Sequence, residues 1–202
     1  MAPQRKSAAE RRAEIVEAAL ALAAENGLQK ATAEAIANRI GVTQPAIFRH
    51  FPRKDEMWQA VVGWLAEQVE ATWRDALGSS PVERRVDAVI AAHLAFVTRF
   101  PAMPLVLLSP ELRRSCAAIG QGSQRLIGHF HAALAQAIAD GQNAGVFVTE
   151  VAAADAAHML LAMVQGTALR WAVGGHPFDL PTEGVRLARI ALSGLGAPRA
   201  TV

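Results

Sequence analysis

Cysteine is almost absent from this 202-residue chain: Cys116 stands alone, so no internal disulfide framework holds the fold. No run of ~20 apolar residues, the length that crosses a bilayer, occurs either. The most apolar stretches, 86–97 and 151–164, are interrupted by Asp87 and His93 and by Asp155 and His158. The first residues, MAPQRKSAAERR, hold no apolar segment and predict no signal peptide, so a cytoplasmic location with no membrane partner is expected. Strand-type alternation is nearly missing. There is no Gly-rich phosphate loop, no Gly-x-Ser-x-Gly turn and no zinc spacing, so no enzymatic activity, cofactor or metal is expected. His129 and His131 stand at i and i+2, where helical side chains point apart and do not share one ion. Cys116 has no His or Cys near it in sequence and reads as a structural or surface thiol.

What is present is helix-forming and apolar. Hydrophobic residues make up 52% of the chain and the mean hydropathy is +0.20, high for a soluble monomer and suggestive of a buried subunit interface. About nine helices are predicted. The first covers Ala8 to Asn26, opened by the capping box Ser7-x-x-Glu10, closed by Gly27, with Ile15, Ala19, Leu22 and Ala23 as its buried stripe. The second and third lie within 32–51. The fourth runs from Lys54 to about Leu77, with Met57, Val61, Trp64, Leu65 and Val69 inward. Ser80-Pro81-x-Glu83 predicts a capped start for a fifth helix ending near Phe100. Pro101 and Pro104 leave room for a short sixth. Ser109-Pro110-Glu111 opens a seventh, broken near Gly120 or Gly122 and ending near Asp140, followed by a loop over 141–147. Thr149 is expected to cap an eighth, Val151 to Val173, and Pro181 to begin a ninth that ends near Leu195. The tail after Gly196 is expected to fray.

Residues 32–51, TAEAIANRIGVTQPAIFRHF, carry the most information. Ile36, Ala37 and Ile40 share one face of a short helix. Gly41 sits where a sharp turn needs positive φ. Val42 plugs the turn, Thr43 is placed to cap the next helix, and Pro45 falls in its first turn, where a missing N–H costs little. Ile47 and Phe51 point back to a core, which leaves Gln44, Ala46, Arg49 and His50 on the outer side. An apolar back and a hydrogen-bonding front make a recognition helix for the DNA major groove. Charge supports this placement. Residues 1–55 hold nine Lys/Arg against six Asp/Glu, a net of +3, and the remainder nets −1.

GVTQPAIFRHFPRKDEM, preceded by TAEAIANRI, resembles the DNA-binding domain of the tetracycline-repressor family over about 55 residues. The marks are Thr32, Ile36-Ala37, Gly41-Val42-Thr43, the aromatic-x-His-Phe of Phe48 to Phe51, and Lys54. The resemblance implies an all-α fold: an N-terminal three-helix helix-turn-helix domain, 1–54, and a C-terminal helical domain for effector binding and dimerisation, 55–202. It implies phosphate contacts from Thr43, His50 and Lys54. By position, Thr32 also donates to phosphate, Gln44 pairs with adenine, Pro45 and Ala46 touch a thymine methyl, and Arg49 reads guanine or binds phosphate. The N-terminal arm, Arg5 and Lys6, adds charge. Two positions depart from the family pattern. Phe48 stands where the family often has tyrosine, losing one hydroxyl contact, and Ala33 where a second threonine often follows Thr32. Glu34 opposes contact on the same side.

Two later faces suggest a homodimer. Ala153, Ala156, Ala157, Leu160, Leu161 and Val164 form one, and Val185, Ala188, Leu192 and Leu195 the other; two such helices from each subunit make a four-helix bundle. The dimer would present two recognition helices to a palindromic, double-stranded operator. Aromatic and thioether side chains in the middle helices, Trp64, Trp73, His93, Phe96, Phe100 and Met103, are candidates to line an effector pocket. Phe130, Met159, Met163 and Trp171 join them, with His93, His129, Gln165 and Thr167 to orient a small, mostly apolar ligand. The family resemblance implies that ligand moves the fourth helix and changes the separation of the recognition helices, so that a repressor lets go of its operator. Two other readings remain: a dimeric DNA-binding protein without an effector, and a helical ligand carrier or enzyme.

Overall fold

The computed structural model describes residues 6–193. Among them are ten α-helices and no β-strand: α1 Ala8–Asn26, α2 Ala33–Ile40, α3 Gln44–His50, α4 Lys54–Ser79, α5 Arg85–Arg99, α6 Met103–Leu108, α7 Pro110–Ser115, α8 Ala117–Asn143, α9 Ala153–Val173 and α10 Leu180–Leu192. Contacts divide the chain into two compact units. One holds the residues up to 67 together with 100–123, and the other holds 68–99 and 124 onward. Arg5 and Leu195 lie outside the described residues.

In the first unit α1 packs on α2 and α3. The capping box is present in full: the Glu10 N–H donates to the Ser7 hydroxyl at 3.2 Å, and the Ser7 N–H donates to the Glu10 carboxylate at 2.7 Å. Ile15, Ala19 and Ala23 are wholly buried, as are Ile36 and, at 2% exposure, Ile47 and Phe51. Met57, Val61, Leu65 and Val69 of α4 are buried as their spacing predicts, and Trp64 is half-buried with its ring edge-on to Phe100 at 5.0 Å.

In the second unit α10 lies across α5 and α9. Gly184 makes that approach possible: a Cβ there would stand 1.9 Å from Cδ1 of the wholly buried Leu94. Asp179 caps α10, accepting from the Thr182 N–H at 2.9 Å.

Several boundaries differ from the sequence expectation. The start at Ser80-Pro81 is a 3-10 turn, Val82–Arg84, with no side-chain cap, and the α-helix begins at Arg85. Such turns are common where helices start. The helix opened by Ser109 stops at Ser115, where Cys116 is extended (φ −154°), and α8 runs unbroken through Gly120 and Gly122. Gly141 is no breaker either. It lies inside α8, and the Phe147 ring folds onto it, with Cδ2 2.4 Å from where a Cβ would be. Thr149 does not cap the following helix, which starts after Ala152 without a side-chain cap. The Gln142 amide instead braces that connection by donating to the carbonyls of Val148 and Val151 at 2.8 and 2.7 Å.

Candidate nucleic-acid interface

The turn between α2 and α3 is set by Gly41, left-handed at φ 70° and ψ 39°. A Cβ there would meet nothing, so the requirement is conformational, worth about 1–2 kcal/mol against an ordinary L-residue. The Val42 N–H donates to the Ala37 carbonyl at 3.0 Å and closes the turn. Thr43 occupies the N-cap position of α3 in extended conformation, but its hydroxyl accepts no capping hydrogen bond, contrary to expectation, and stays exposed. Thr32 does cap α2, accepting from the Ala35 N–H at 3.2 Å, which leaves its own proton to donate outward.

Burial of Ile47 and Phe51 fixes which side of α3 faces out. Gln44, Pro45, Phe48 and Arg49 are exposed there; Ala46 and His50 are half-buried at the edge. One groove gathers Thr32, Gln44, Phe48, Arg53 and Lys54, and a second gathers Lys6, Arg11, Ala46, Arg49 and His50. Seven of the nine predicted contact residues line one or other of these grooves, while Thr43 and Pro45 are exposed and line neither.

The cations on that surface are of two kinds. Arg49 and Lys54 are exposed and form no ion pair among the described residues. Arg53 is engaged by Asp55 through two hydrogen bonds, which raises its already high pKa and holds the Asp55 carboxyl below the usual range. Lys6 is paired with Glu14 at 2.7 Å, and Arg11 with the same carboxylate at 2.6 Å. Lys6 therefore contributes less free charge than the arm was expected to supply.

Sequence reasoning missed Arg12. Its guanidinium donates to the His50 carbonyl at the end of α3 and lies over the Phe51 ring, 4.1 Å from the centroid. It ties α1 to the recognition helix across 38 positions of sequence. Arg39 likewise ties α2 to α1 through a two-pronged pair with Glu25. Neither contact has a periodic signature.

The predicted pocket residues fall in both units. Trp64, Phe100 and Met103 belong to the first unit. In the second, His93 stacks on Phe130 at 4.0 Å and 15°, and Trp73 lies 4.9 Å from Phe130 and 5.6 Å from His93. Burial pushes the His93 imidazole down to about 3, so the ring is neutral. His93 Nδ1 and Trp73 Nε1 are buried without a hydrogen-bond partner. Trp171 is committed elsewhere: its Nε1 donates to the Phe178 carbonyl at 2.9 Å and its ring stacks on His176. His129 pairs with Glu70 at 2.7 Å at the surface. Phe96 and Thr167 are buried, Met163 and Gln165 half-buried, while Met159 is 45% exposed on the outside of α9 and lines no interior.

Most of the residues predicted for the dimer faces are covered by their own subunit. Ala157, Leu160, Val164 and Ala188 are wholly buried within one chain, and Ala156, Leu161 and Leu192 nearly so, because α5, α9 and α10 of the same subunit cover them. Ala153 and Val185 are half-buried. The side left open carries Ala154, His158, Met159, Ala162 and Gly166 on α9 and Ile190, 57% exposed, on α10. Helix α9 is apolar nearly all round, so spacing alone did not reveal which stripe its own subunit covers.

Among the described residues no helix is long and apolar enough to cross a membrane, and no three His, Cys, Asp or Glu side chains converge as metal ligands.

Comparison with known proteins matches both parts of the chain. Residues 15–61 fit the profile described as bacterial regulatory proteins, tetR family, and residues 103–197 that of the BetI-type transcriptional repressor C-terminal region. The HTH-type transcriptional regulator SrpR of Pseudomonas putida is 32% identical over 146 residues, 68% of this chain and 67% of that protein. The nucleoid occlusion factor SlmA of Glaesserella parasuis is 29% identical over 113 residues, so the match spans about half, 54%, of that relative's length and of this chain. Among solved structures, the transcriptional regulator FadR of Bacillus subtilis in complex with stearoyl-CoA superposes with a TM-score of 0.74 at 19% identity, covering 91% of this chain and 98% of that one.

Proposed function

This chain belongs to the tetR family of bacterial regulatory proteins, and on that footing we propose that it is a repressor that holds a palindromic operator as a homodimer and releases it when a small, mostly apolar molecule binds. In this division of labour residues 1–54 read DNA, and residues 55–202 dimerise and sense. One observation carries the reading. Helix α3 has a buried back and an exposed front, with Arg49 and Lys54 unpaired beside it and the Thr32 hydroxyl at its edge. Gln44 pairs with adenine and Pro45 and Ala46 meet thymine methyls, while Thr32, Thr43, His50 and Lys54 hold phosphates. Arg49 reads guanine or adds to the phosphate contacts. Phe48 offers a ring without a hydroxyl.

One helix-turn-helix buries too little surface for specific affinity, which supports a dimer. The open side of α9, with Met159, and Ile190 of α10 are the surfaces offered for it. For the effector, the supporting feature is the Trp73–His93–Phe130 cluster. Two buried nitrogens without partners are costly until something hydrogen-bonds to them, and a neutral His93 supplies no charge for an anion. The effector must favour the DNA-incompetent state; each 1.4 kcal/mol of differential affinity changes operator occupancy about tenfold.

Sedimentation of the protein with a fluorescent duplex tests the assembly. Two chains per bound duplex and an affinity that falls steeply with salt are expected; one chain per duplex, or salt-independent binding, contradicts the reading. A ligand that stabilises the protein against heat but leaves DNA affinity unchanged counts for the dimer without an effector. Turnover of such a ligand counts for a carrier or enzyme.

A further inference from the structure

By sequence α7 belongs to the C-terminal region, within residues 103–197, but by contacts it packs in the unit that holds the helix-turn-helix. A hydrogen bond fixes it there: the Gln29 amide, three residues before Thr32, donates to Glu111 in the first turn of α7. Thr32, Arg53 and Lys54 line one groove. Helix α7 is thus held next to the segment that leads into the Thr32 end of the surface assigned above to phosphate.

Two cations follow Glu111 on α7. Arg113 and Arg114 are exposed and form no ion pair among the described residues, whereas Arg53, Arg39 and Arg11 nearby are each taken up by a carboxylate. The stem of Arg113 rests against Gly120 in the first turn of α8, 3.7 Å from a Cβ position there, which limits the directions open to its guanidinium. The one acid of α7, Glu111, is hydrogen-bonded to Gln29. An exposed cationic pair without acidic partners, on a helix hydrogen-bonded to the segment before Thr32, matches the charge of a DNA backbone.

We propose that Arg113 and Arg114 of α7 form a second phosphate-binding site, which contacts the duplex backbone outside the bases faced by α3. This inference rests on the DNA-binding role proposed for α3 and Lys54. The site carries no sequence information, because backbone phosphates are alike on every base pair. It lengthens the bound stretch of duplex and adds to the salt dependence of binding.

The test uses the full chain and a random-sequence duplex of ~40 base pairs, with affinity measured across salt concentration. Each phosphate contact contributes about 0.9 to the slope of log affinity against log salt, or about 3.5-fold in affinity between 50 and 200 mM. The double variant Arg113→Ala, Arg114→Ala should lower the slope by up to about 1.8 per bound chain. Arg74→Ala, which removes an exposed cation from the other unit, serves as the charge control. Lys54→Ala reports separately on the α3 surface. An unchanged slope in the double variant, with Lys54→Ala still lowering the slope, overturns the α7 site and spares the parent reading. A slope change in Arg74→Ala as large as that of the double variant overturns the site as well, by showing a general charge effect. No effect of Lys54→Ala overturns the parent reading.

Discussion

Arg12 offers the sharpest way to separate what holds the recognition helix from what touches DNA. Its guanidinium donates to the carbonyl of His50, the last residue of α3, and covers the Phe51 ring. Replacement by methionine keeps much of the apolar stem and removes the charge and the donors. Loss of an exposed cation–π contact costs about 0.5–1 kcal/mol. Loss of a hydrogen bond from a charged group to a carbonyl at the negative end of a helix costs about 1 kcal/mol more. Arg12→Met should therefore destabilise the protein by about 1–2 kcal/mol. Urea unfolding followed by tryptophan fluorescence measures it; Trp58 and Trp64 report from the first unit. With a slope of about 2 kcal/mol per molar, the midpoint should fall by roughly 0.5–1 M. DNA affinity should weaken about equally on every sequence, because α3 loses its anchor and no base contact. Unchanged stability with lost DNA binding would refute this reasoning and make Arg12 a direct phosphate ligand.

Other consequences are as specific. Gln44→Ala should cost about 1–3 kcal/mol on the preferred site and far less on random duplex, measured by anisotropy; equal losses on both would remove Gln44 from base reading. Gly184→Val should lower stability by about 1–3 kcal/mol, read by thermal unfolding, because the new side chain meets Leu94 where α10 crosses α5; an unchanged midpoint would refute the close approach. His93 has a folded pKa near 3, below its unfolded value of about 6.5, so the unfolded chain binds the extra proton. Its contribution is intact above pH 6.5 and is lost as pH falls towards 3, at up to about 1.4 kcal/mol per unit. His93→Phe should flatten that part of the stability profile, and identical profiles would show that the ring is not neutral and buried as described.

The DNA-binding half was legible because its signals are local. The Ser7–Glu10 box, the Thr32 cap, the Gly41 turn and the inward pair Ile47 and Phe51 each depend on residues within one or two turns, and each stands where spacing put it. Arg12 was not legible, since its partners lie about 40 positions away. Glycine misled twice. Gly120 and Gly141 look like helix breakers, yet both lie inside α8, which passes through them, and Gly141 serves as a seat for Phe147. A helix apolar on most sides does not say which side its own subunit covers: on α9, Leu160 and Val164 are buried within the chain and Met159 stands outside. The aromatic cluster was legible as a list of residues but not as a site. Only the fold shows that His93, Phe130 and Trp73 meet, while Trp171 is spent on Phe178 and His176.

The central claim is that the exposed front of α3 reads a DNA sequence from a two-fold dimer. Selection of bound duplexes from a random pool by the purified protein tests it most directly. The expected result is an enriched palindrome whose half-sites are separated by about one helical turn or a multiple of it. Recovery of the pool without enrichment, or of a single unrepeated site bound by one chain, would contradict it.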